Sequence, residues 1–136
     1  MRTMGRKLST VFAVAGLLLA VVPVSAHHAI QSQFDPNRPF KLTGILTKVD
    51  WINPHVYFYL DVKDETGKVS NWALETTGPA GLRNAGLNRS GFFKVGDTYT
   101  VTAVPSRDGW KSGFIRDIKF PDGRVVTIWF SDPRAR

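Results

Sequence analysis

The strictest pattern in this chain is an alternation of apolar and polar side chains from residue 55 to residue 62. The apolar members are Val56, Phe58, Leu60 and Val62, and the polar members are His55, Tyr57, Tyr59 and Asp61. Because neighbouring side chains of a strand point to opposite faces, this alternation predicts a half-buried β-strand. The apolar face belongs to a core, and the polar face meets solvent or a groove. Such a strand needs partner strands, so the chain is predicted to be mainly β.

Turn signals rich in Gly, Pro and Asp predict five further strands around this one. Counting it as the second, the six strands span residues 40–51, 55–62, 69–76, 98–104, 114–120 and 125–130. A short helix is predicted after Thr77 or Gly78, with Pro79 in its first turn. In the first strand, Leu42, Leu46 and Val49 break strict alternation, which predicts a bulge near Gly44 or Thr47 where the strand curls.

The predicted order is three strands, one short helix and then two or three strands, within about a hundred residues. This is the element order of an OB-type barrel. The fold class is therefore predicted as mainly β, a small OB-like β-barrel of five to six strands with one short helix between strands three and four. An open sandwich has the same elements and stands as the alternative.

Residues 1–26 have the composition of a cleavable Sec-type signal peptide. Arg2, Arg6 and Lys7 precede an apolar stretch at 11–22 that is too short to span a bilayer, and small residues end in Ala26, where cleavage is expected. A periplasmic or secreted product that does not span a membrane follows from this. The predicted divisions are the signal peptide at 1–26, an extended N-terminal arm at 27–39 docked through Phe34, the OB-like barrel at 40–130 and a flexible tail at 131–136.

The mature chain of 110 residues is one domain by length and can form a core without covalent staples. It contains no cysteine, which excludes disulfides, thiolate metal sites and cysteine nucleophiles. Residues 1–26 hold 3 of the 18 basic residues and none of the 11 acidic ones, so cleavage lowers the net charge from +7 to +4. The remaining basic residues are scattered, which is typical of a solubilising surface.

Several motifs together carry a family resemblance. They are Ala26-His27-His28, Phe34-Asp35-Pro36, Leu42-Thr43-Gly44, Trp51-x-Asn53-Pro54-His55, Trp72-x-x-Glu75, Val95-Gly96-Asp97 and Pro121-Asp122-Gly123-Arg124. The mature chain resembles a family of small exported bacterial proteins labelled only as a domain of unknown function. The resemblance implies export and an OB-like β-barrel. It supplies no activity, so no catalytic residue is transferred.

The histidines His27, His28 and His55 are the candidate metal ligands. Cleavage after Ala26 would give His27 a free amine beside its imidazole, and these two nitrogens with His55 as a third suit Cu(II), less selectively Ni(II) or Zn(II). His28 is an alternative ligand, and it would occupy the third position of a square-planar site if cleavage fell one residue earlier. The plainer alternative is that His27 and His28 are solvated, and that His55 bonds a backbone carbonyl where the second strand begins.

A ligand-binding groove is predicted from Trp51, Asn53, Tyr57, Glu75 and Trp110, with Glu75 the expected partner of a histidine. Aromatic rings exposed on an OB-type barrel can stack on sugars or bases, and export favours a sugar or envelope component over nucleic acid. No nucleophile-elbow pattern occurs, so we expect no enzyme and no catalytic residues. Two functions follow: an exported small protein that binds copper or another transition metal, or a non-enzymatic OB-type module for an envelope component, sugar or small molecule, without metal.

Overall fold

A computed structural model describes residues 30–89 and 91–128. The predicted signal peptide, His27, His28 and the tail at 131–136 lie outside the described residues. The chain divides into two units between Gln33 and Phe34, and the described part of the first unit, residues 30–33, is a helical turn. The prediction of an extended arm is wrong for these four residues, because the first proline of the predicted arm is Pro36 and nothing between His27 and it prevents a turn. None of the described helices has the length and apolar character needed to cross a membrane.

The second unit contains six strands and one short helix, as predicted. The strands are β1 (Phe40–Asp50), β2 (Tyr57–Lys63), β3 (Val69–Glu75), β4 (Thr98–Pro105), β5 (Ser112–Lys119) and β6 (Val125–Thr127), and the helix is α1 (Pro79–Asn84). Gly78 is the N-cap of α1, with Pro79 in the first turn. Among the strand starts, the predicted bounds differ at β2, which begins two residues later, and at β5, which begins two residues earlier, while β6 ends at Thr127, three residues before its predicted end.

Five of the strands close into a barrel. The hydrogen-bonded order is β3-β2-β1-β4-β5-β6, and an additional parallel pairing joins β3 to β5. In that pairing Ala73 faces Ser112 and Glu75 faces Phe114. The barrel is of the OB type, because it has three antiparallel strands, then a helix, then two more strands and a parallel closing pair. Strand β6 adds one extra strand to it. The open-sandwich alternative is therefore wrong.

Strand β1 bends so that it can pair with β4 along its first half and with β2 along its second half. The register shifts between Leu46 and Lys48, which confirms the predicted bulge near Thr47. At Gly44 the backbone of β2 comes very close, since an added Cβ would lie 2.6 Å from the carbonyl oxygen of Asp61. A side chain at this position would push β1 and β2 apart.

The core fills the barrel with the inward faces of all five closing strands. Val56, Phe58 and Leu60 are buried as the alternation predicted, while Val62 is only partly buried. Leu82 of α1 and Leu87 after it belong to the same core cluster. Since these side chains leave the polar face of β2 pointing outward, Tyr57 and its neighbours are available for a site on the outside of the barrel.

Candidate functional site

The candidate site lies on the outside of the barrel where β3 and β5 close it. His55 lies in the loop between β1 and β2, Tyr57 is the first residue of β2, and Glu75 is the last residue of β3. Glu75 faces Tyr57 across one pairing and Phe114 across the other. The closing pair therefore gathers residues that are far apart in sequence around a single carboxylate.

His55 and Glu75 are in direct contact, with Nδ1 of the imidazole hydrogen-bonded to Oε1 of the carboxylate. The side chains are 30% and 12% exposed, so the pair is accessible to a ligand mainly on the histidine side. This contact confirms Glu75 as the partner of a histidine. Because a carboxylate accepts from Nδ1–H, the neutral imidazole keeps its free lone pair on Nε2. His55 thus has a ring nitrogen suited to coordination.

Glu75 also accepts a hydrogen bond from the side chain of Tyr57. Burial raises the pKa of the Tyr57 phenol above its ordinary value, and the negative charge and hydrogen bond of Glu75 raise it further. Tyr57 therefore stays a neutral donor at physiological pH. The buried Glu75 carboxylate has two side-chain donors, which restricts it to one orientation.

Phe114 supports the histidine from the other side. Its ring lies 6.2 Å from the His55 ring at an interplanar angle of 89°, and the Phe34 ring lies 5.7 Å from Phe114. Phe34 is only 5% exposed, so its side chain is buried within the second unit. The sequence analysis missed Phe114 because nothing in its local sequence distinguishes it from a core residue. Only the parallel β3–β5 pairing of an OB-type barrel could have indicated it.

The remaining predicted groove residues are Trp51, Asn53 and Trp110. Trp51 packs 6.2 Å from Phe93, and Asn53 is exposed in the β1–β2 loop and precedes a cis peptide bond to Pro54. Trp110 is 77% exposed in the β4–β5 loop. Over residues 30–89 and 91–128, no ring contact joins Trp110 to Trp51 or Tyr57. The structure brings together His55, Tyr57 and Glu75.

A separate open pocket of about 330 Å³ lies at residues 91–99 and 120–124. Phe92, Tyr99 and Phe120 line it together with Lys94 and Arg124. The Arg124 guanidinium is 4.5 Å above the Phe120 ring and 5.8 Å above the Phe92 ring. Two acidic residues, Asp97 and Asp122, also line the pocket, so its charges are balanced.

The described ranges contain no group of three His, Asp or Glu side chains close enough to hold a metal ion. The His55–Glu75 pair supplies one coordinating nitrogen together with its orienting carboxylate. His27 and His28, the other two predicted ligands, lie outside those ranges.

Comparison with solved structures finds a similarity to the crystal structure of Rim1, a mitochondrial single-stranded DNA-binding protein from S. cerevisiae, with a TM-score of 0.49 and 9% identity. The similar region covers 62% of this chain and 93% of that chain. Comparison with curated proteins finds no match. The model of one family matches residues 15–116, which is 102 of the 136 residues. The chain therefore belongs to the family of unknown function DUF6152.

Proposed function

We propose that this protein is exported and binds a transition-metal ion, with copper favoured, for storage, delivery or sensing. In this proposal His55 donates through Nε2, and the mature amino terminus donates the amine and imidazole nitrogens of His27. The single observation that carries the proposal is the contact between His55 Nδ1 and the Glu75 carboxylate.

The His55–Glu75 pair has the features of a metal-binding histidine. Histidines that coordinate metals almost always donate their other ring nitrogen to a carboxylate, a carbonyl or water, which fixes the tautomer and makes the ligand more basic. Here the carboxylate is buried and held by Tyr57, while the imidazole is 30% exposed. Among the described residues no hydrogen bond engages Nε2. The plainer alternative, a hydrogen bond from His55 to a backbone carbonyl, does not account for the contact between His55 and the buried Glu75 carboxylate.

Copper is favoured by the donor set. Three nitrogen donors, one amine and two imidazoles, suit Cu(II) in a planar arrangement, and the absence of cysteine removes the thiolates that would favour Cu(I). The amine becomes available only if export removes residues 1–26. Export and metal binding are therefore a single proposal.

The test begins with the intact mass of exported, untagged protein, which identifies the first residue. Cu(II) is then titrated into that material and into His27→Ala, His28→Ala and His55→Ala variants in competition with a chelator of known affinity. With cleavage after Ala26, His27→Ala and His55→Ala should weaken binding more than the roughly 10- to 100-fold typical of losing an outer-shell partner. His28→Ala is the matched control and should change it little.

Two outcomes would redirect the interpretation. If the mature chain starts at Ala26 and only His28→Ala weakens binding, the site is amino-terminal and independent of His55. If exported protein that begins at His27 binds Cu(II) no better than its His27→Ala and His55→Ala variants, the metal proposal fails. The remaining function would then be an OB-type module for an envelope component, sugar or small molecule.

A further inference from the structure

The loop between β4 and β5 presents one large aromatic side chain to solvent. Trp110 in this loop is 77% exposed, the highest value among the large apolar side chains of residues 30–89 and 91–128. A single exposed apolar residue is ordinary on a protein surface, so exposure alone assigns no role to it. The order of the loop and the chemistry of its surroundings decide what Trp110 can do.

Hydrogen bonds hold this loop across its length. The Asp108 carboxylate accepts from Ser106 Oγ over 2.6 Å and from the Trp110 amide over 2.9 Å. The Ser106 amide donates to the Ser112 carbonyl over 3.1 Å, and the Ser112 amide donates to the Trp110 carbonyl over 2.8 Å. Because the backbone that carries Trp110 is already ordered, a ligand that covers its ring removes little loop entropy. An ordered and exposed indole is well suited to anchor a ligand.

Strand β3 lies directly beside this loop. The carbonyl of Lys111, the residue after the exposed tryptophan, accepts from the Ala73 amide over 3.1 Å, and the Lys111 ammonium donates to the Ser70 hydroxyl. Asn71 of the same strand is exposed, and its Nδ2 donates to the Asp61 carboxylate over 2.8 Å. Within the described ranges no hydrogen bond engages Asn71 Oδ1. The strand therefore offers hydrogen-bonding groups beside an apolar ring.

The charged groups around the loop favour a neutral ligand. Asp108 lies within the loop, and Asp61 is bonded to the neighbouring strand. The hydrogen bond from Thr66, and to a smaller extent the charge of Lys111, hold the pKa of Asp64 below its usual value, so Lys111 lies near that carboxylate. Carboxylates repel the phosphates of nucleic acids and the charges of acidic sugars. They accept hydrogen bonds from hydroxyl groups, which neutral sugars supply in number.

We propose that Trp110 is the stacking platform of a surface that binds neutral oligosaccharides, with polar groups of β3 as hydrogen-bonding partners of the sugar hydroxyls. The apolar face of one pyranose ring lies on the indole, while its hydroxyl groups donate to Asn71 Oδ1 and to the Asp61 carboxylate. The surface uses neither His55 nor a metal ion, so it goes beyond the proposed function and is independent of it.

The experiment titrates three neutral hexasaccharides, cellohexaose, chitohexaose and laminarihexaose, into the purified protein by calorimetry, with EDTA present so that metal ions take no part. The variants are Trp110→Ala, Trp110→Tyr, which keeps an aromatic ring, and Asn71→Ala. Val125→Ala is the matched control, because it removes a 57% exposed apolar side chain from β6, which pairs with the far end of β5. Since the Trp110 ring is mostly in solvent, Trp110→Ala should fold like the wild type, and a thermal melt verifies this.

At least one hexasaccharide should bind, and Trp110→Ala should raise its dissociation constant at least about tenfold. Asn71→Ala should raise it about three- to tenfold through the lost hydrogen bond. Trp110→Tyr should stay within about threefold of the wild type because a stacking ring remains, and Val125→Ala should match the wild type. Bound sugar should also reduce iodide quenching of tryptophan fluorescence in the wild type. This protection should be lost in Trp110→Tyr, where the covered ring is no longer a tryptophan.

Three results would overturn the inference. The first is no saturable binding of any of the three sugars, or equal affinity in Trp110→Ala. The second is tighter binding of hexathymidylate or hexalysine than of every sugar, because charge would then select the ligand. The third is a wild-type dimer that Trp110→Ala converts to a monomer in sedimentation, because a second copy of this chain would then cover the ring. The copper titrations decide the proposed function separately, since these measurements contain no free metal ion.

Discussion

Substituting Glu75 by Gln tests the arrangement around the carboxylate without any metal. The wild-type carboxylate accepts from both His55 Nδ1 and Tyr57, whereas a glutamine side chain has only one accepting oxygen and no charge. Hydrogen bonds to a charged group contribute about 1.5–3 kcal/mol each and neutral ones about 0.5–1.5 kcal/mol. Allowing for the partial exposure of His55, we expect Glu75→Gln to lower the free energy of unfolding by about 1–3 kcal/mol.

The same substitution should also change the titration of Tyr57. The Glu75 charge and hydrogen bond contribute to its raised pKa, but burial is the larger cause and remains in the variant. The pKa of Tyr57 should therefore fall in Glu75→Gln and still lie above the ordinary value of 10.0. Because the folded pKa is raised, the stability that neutral Tyr57 contributes is present below pH 10 and is lost as pH rises through the folded pKa. Glu75→Gln should make this alkaline loss smaller.

Two assays check these expectations. Urea unfolding followed by tryptophan fluorescence gives the free energy of unfolding. Titration of tyrosinate absorbance gives the pKa of Tyr57 as the difference between each protein and the same protein carrying Tyr57→Phe, because the chain has three tyrosines. Asp61→Asn is the control, since Asp61 lies on the same polar face of β2 and bonds Asn71 at the surface. It should change stability by less than about 0.5 kcal/mol. If Glu75→Gln changes neither the pKa of Tyr57 nor the free energy of unfolding, the buried carboxylate does not have the role of accepting from His55 and Tyr57.

Two further substitutions test the fold around the site. Gly44→Ala would place a Cβ 2.6 Å from the Asp61 carbonyl oxygen, so we expect the free energy of unfolding in urea to fall by about 1–3 kcal/mol. The control Lys41→Ala, at an exposed position of the same strand, should lower it by less than about 0.5 kcal/mol. Equal stability of the two variants would contradict the close approach of β1 and β2. The Asp108 carboxylate accepts hydrogen bonds from Ser106 Oγ and the Trp110 amide, and these bonds lower the pKa of Asp108 below its ordinary value of 3.8. The stability that ionised Asp108 contributes is therefore present above pH 3.8 and is lost as pH falls through the folded pKa. Asp108→Asn should have a lower free energy of unfolding than the wild type at pH 7, and the two values should become equal in acid. If the difference in free energy persists unchanged in acid, the carboxylate charge is not its source.

The fold was predictable from sequence because its signals are local. The alternation around Phe58, the irregular spacing of Leu46 and Val49, and Pro79 after a cap each depend on a few neighbouring residues. The helical turn at 30–33 was missed because four residues with a single apolar side chain, Ile30, leave no periodicity to detect. Strand ends at β2 and β5 moved by two residues because pairing partners, and not propensity, decide where a strand begins.

The site was only partly predictable. Glu75 was identified as the partner of a histidine because it ends a strand next to the one that His55 precedes, and antiparallel neighbours bring such ends together. Phe114 was missed because its contact with His55 depends on the parallel pairing of β3 with β5, which links residues about forty positions apart. The groove around Tyr57 stays a prediction: Trp51 packs against Phe93, and Trp110 is exposed in the β4–β5 loop.

The central claim is that His55 Nε2 and the mature amino terminus bind one copper ion. The most direct measurement is the electron paramagnetic resonance spectrum of exported protein that begins at His27 and holds one equivalent of Cu(II), compared with the His55→Ala variant. We predict nitrogen hyperfine structure from three directly bound nitrogens in the wild type and from two in the variant. Identical spectra, with identical affinities, would contradict the claim.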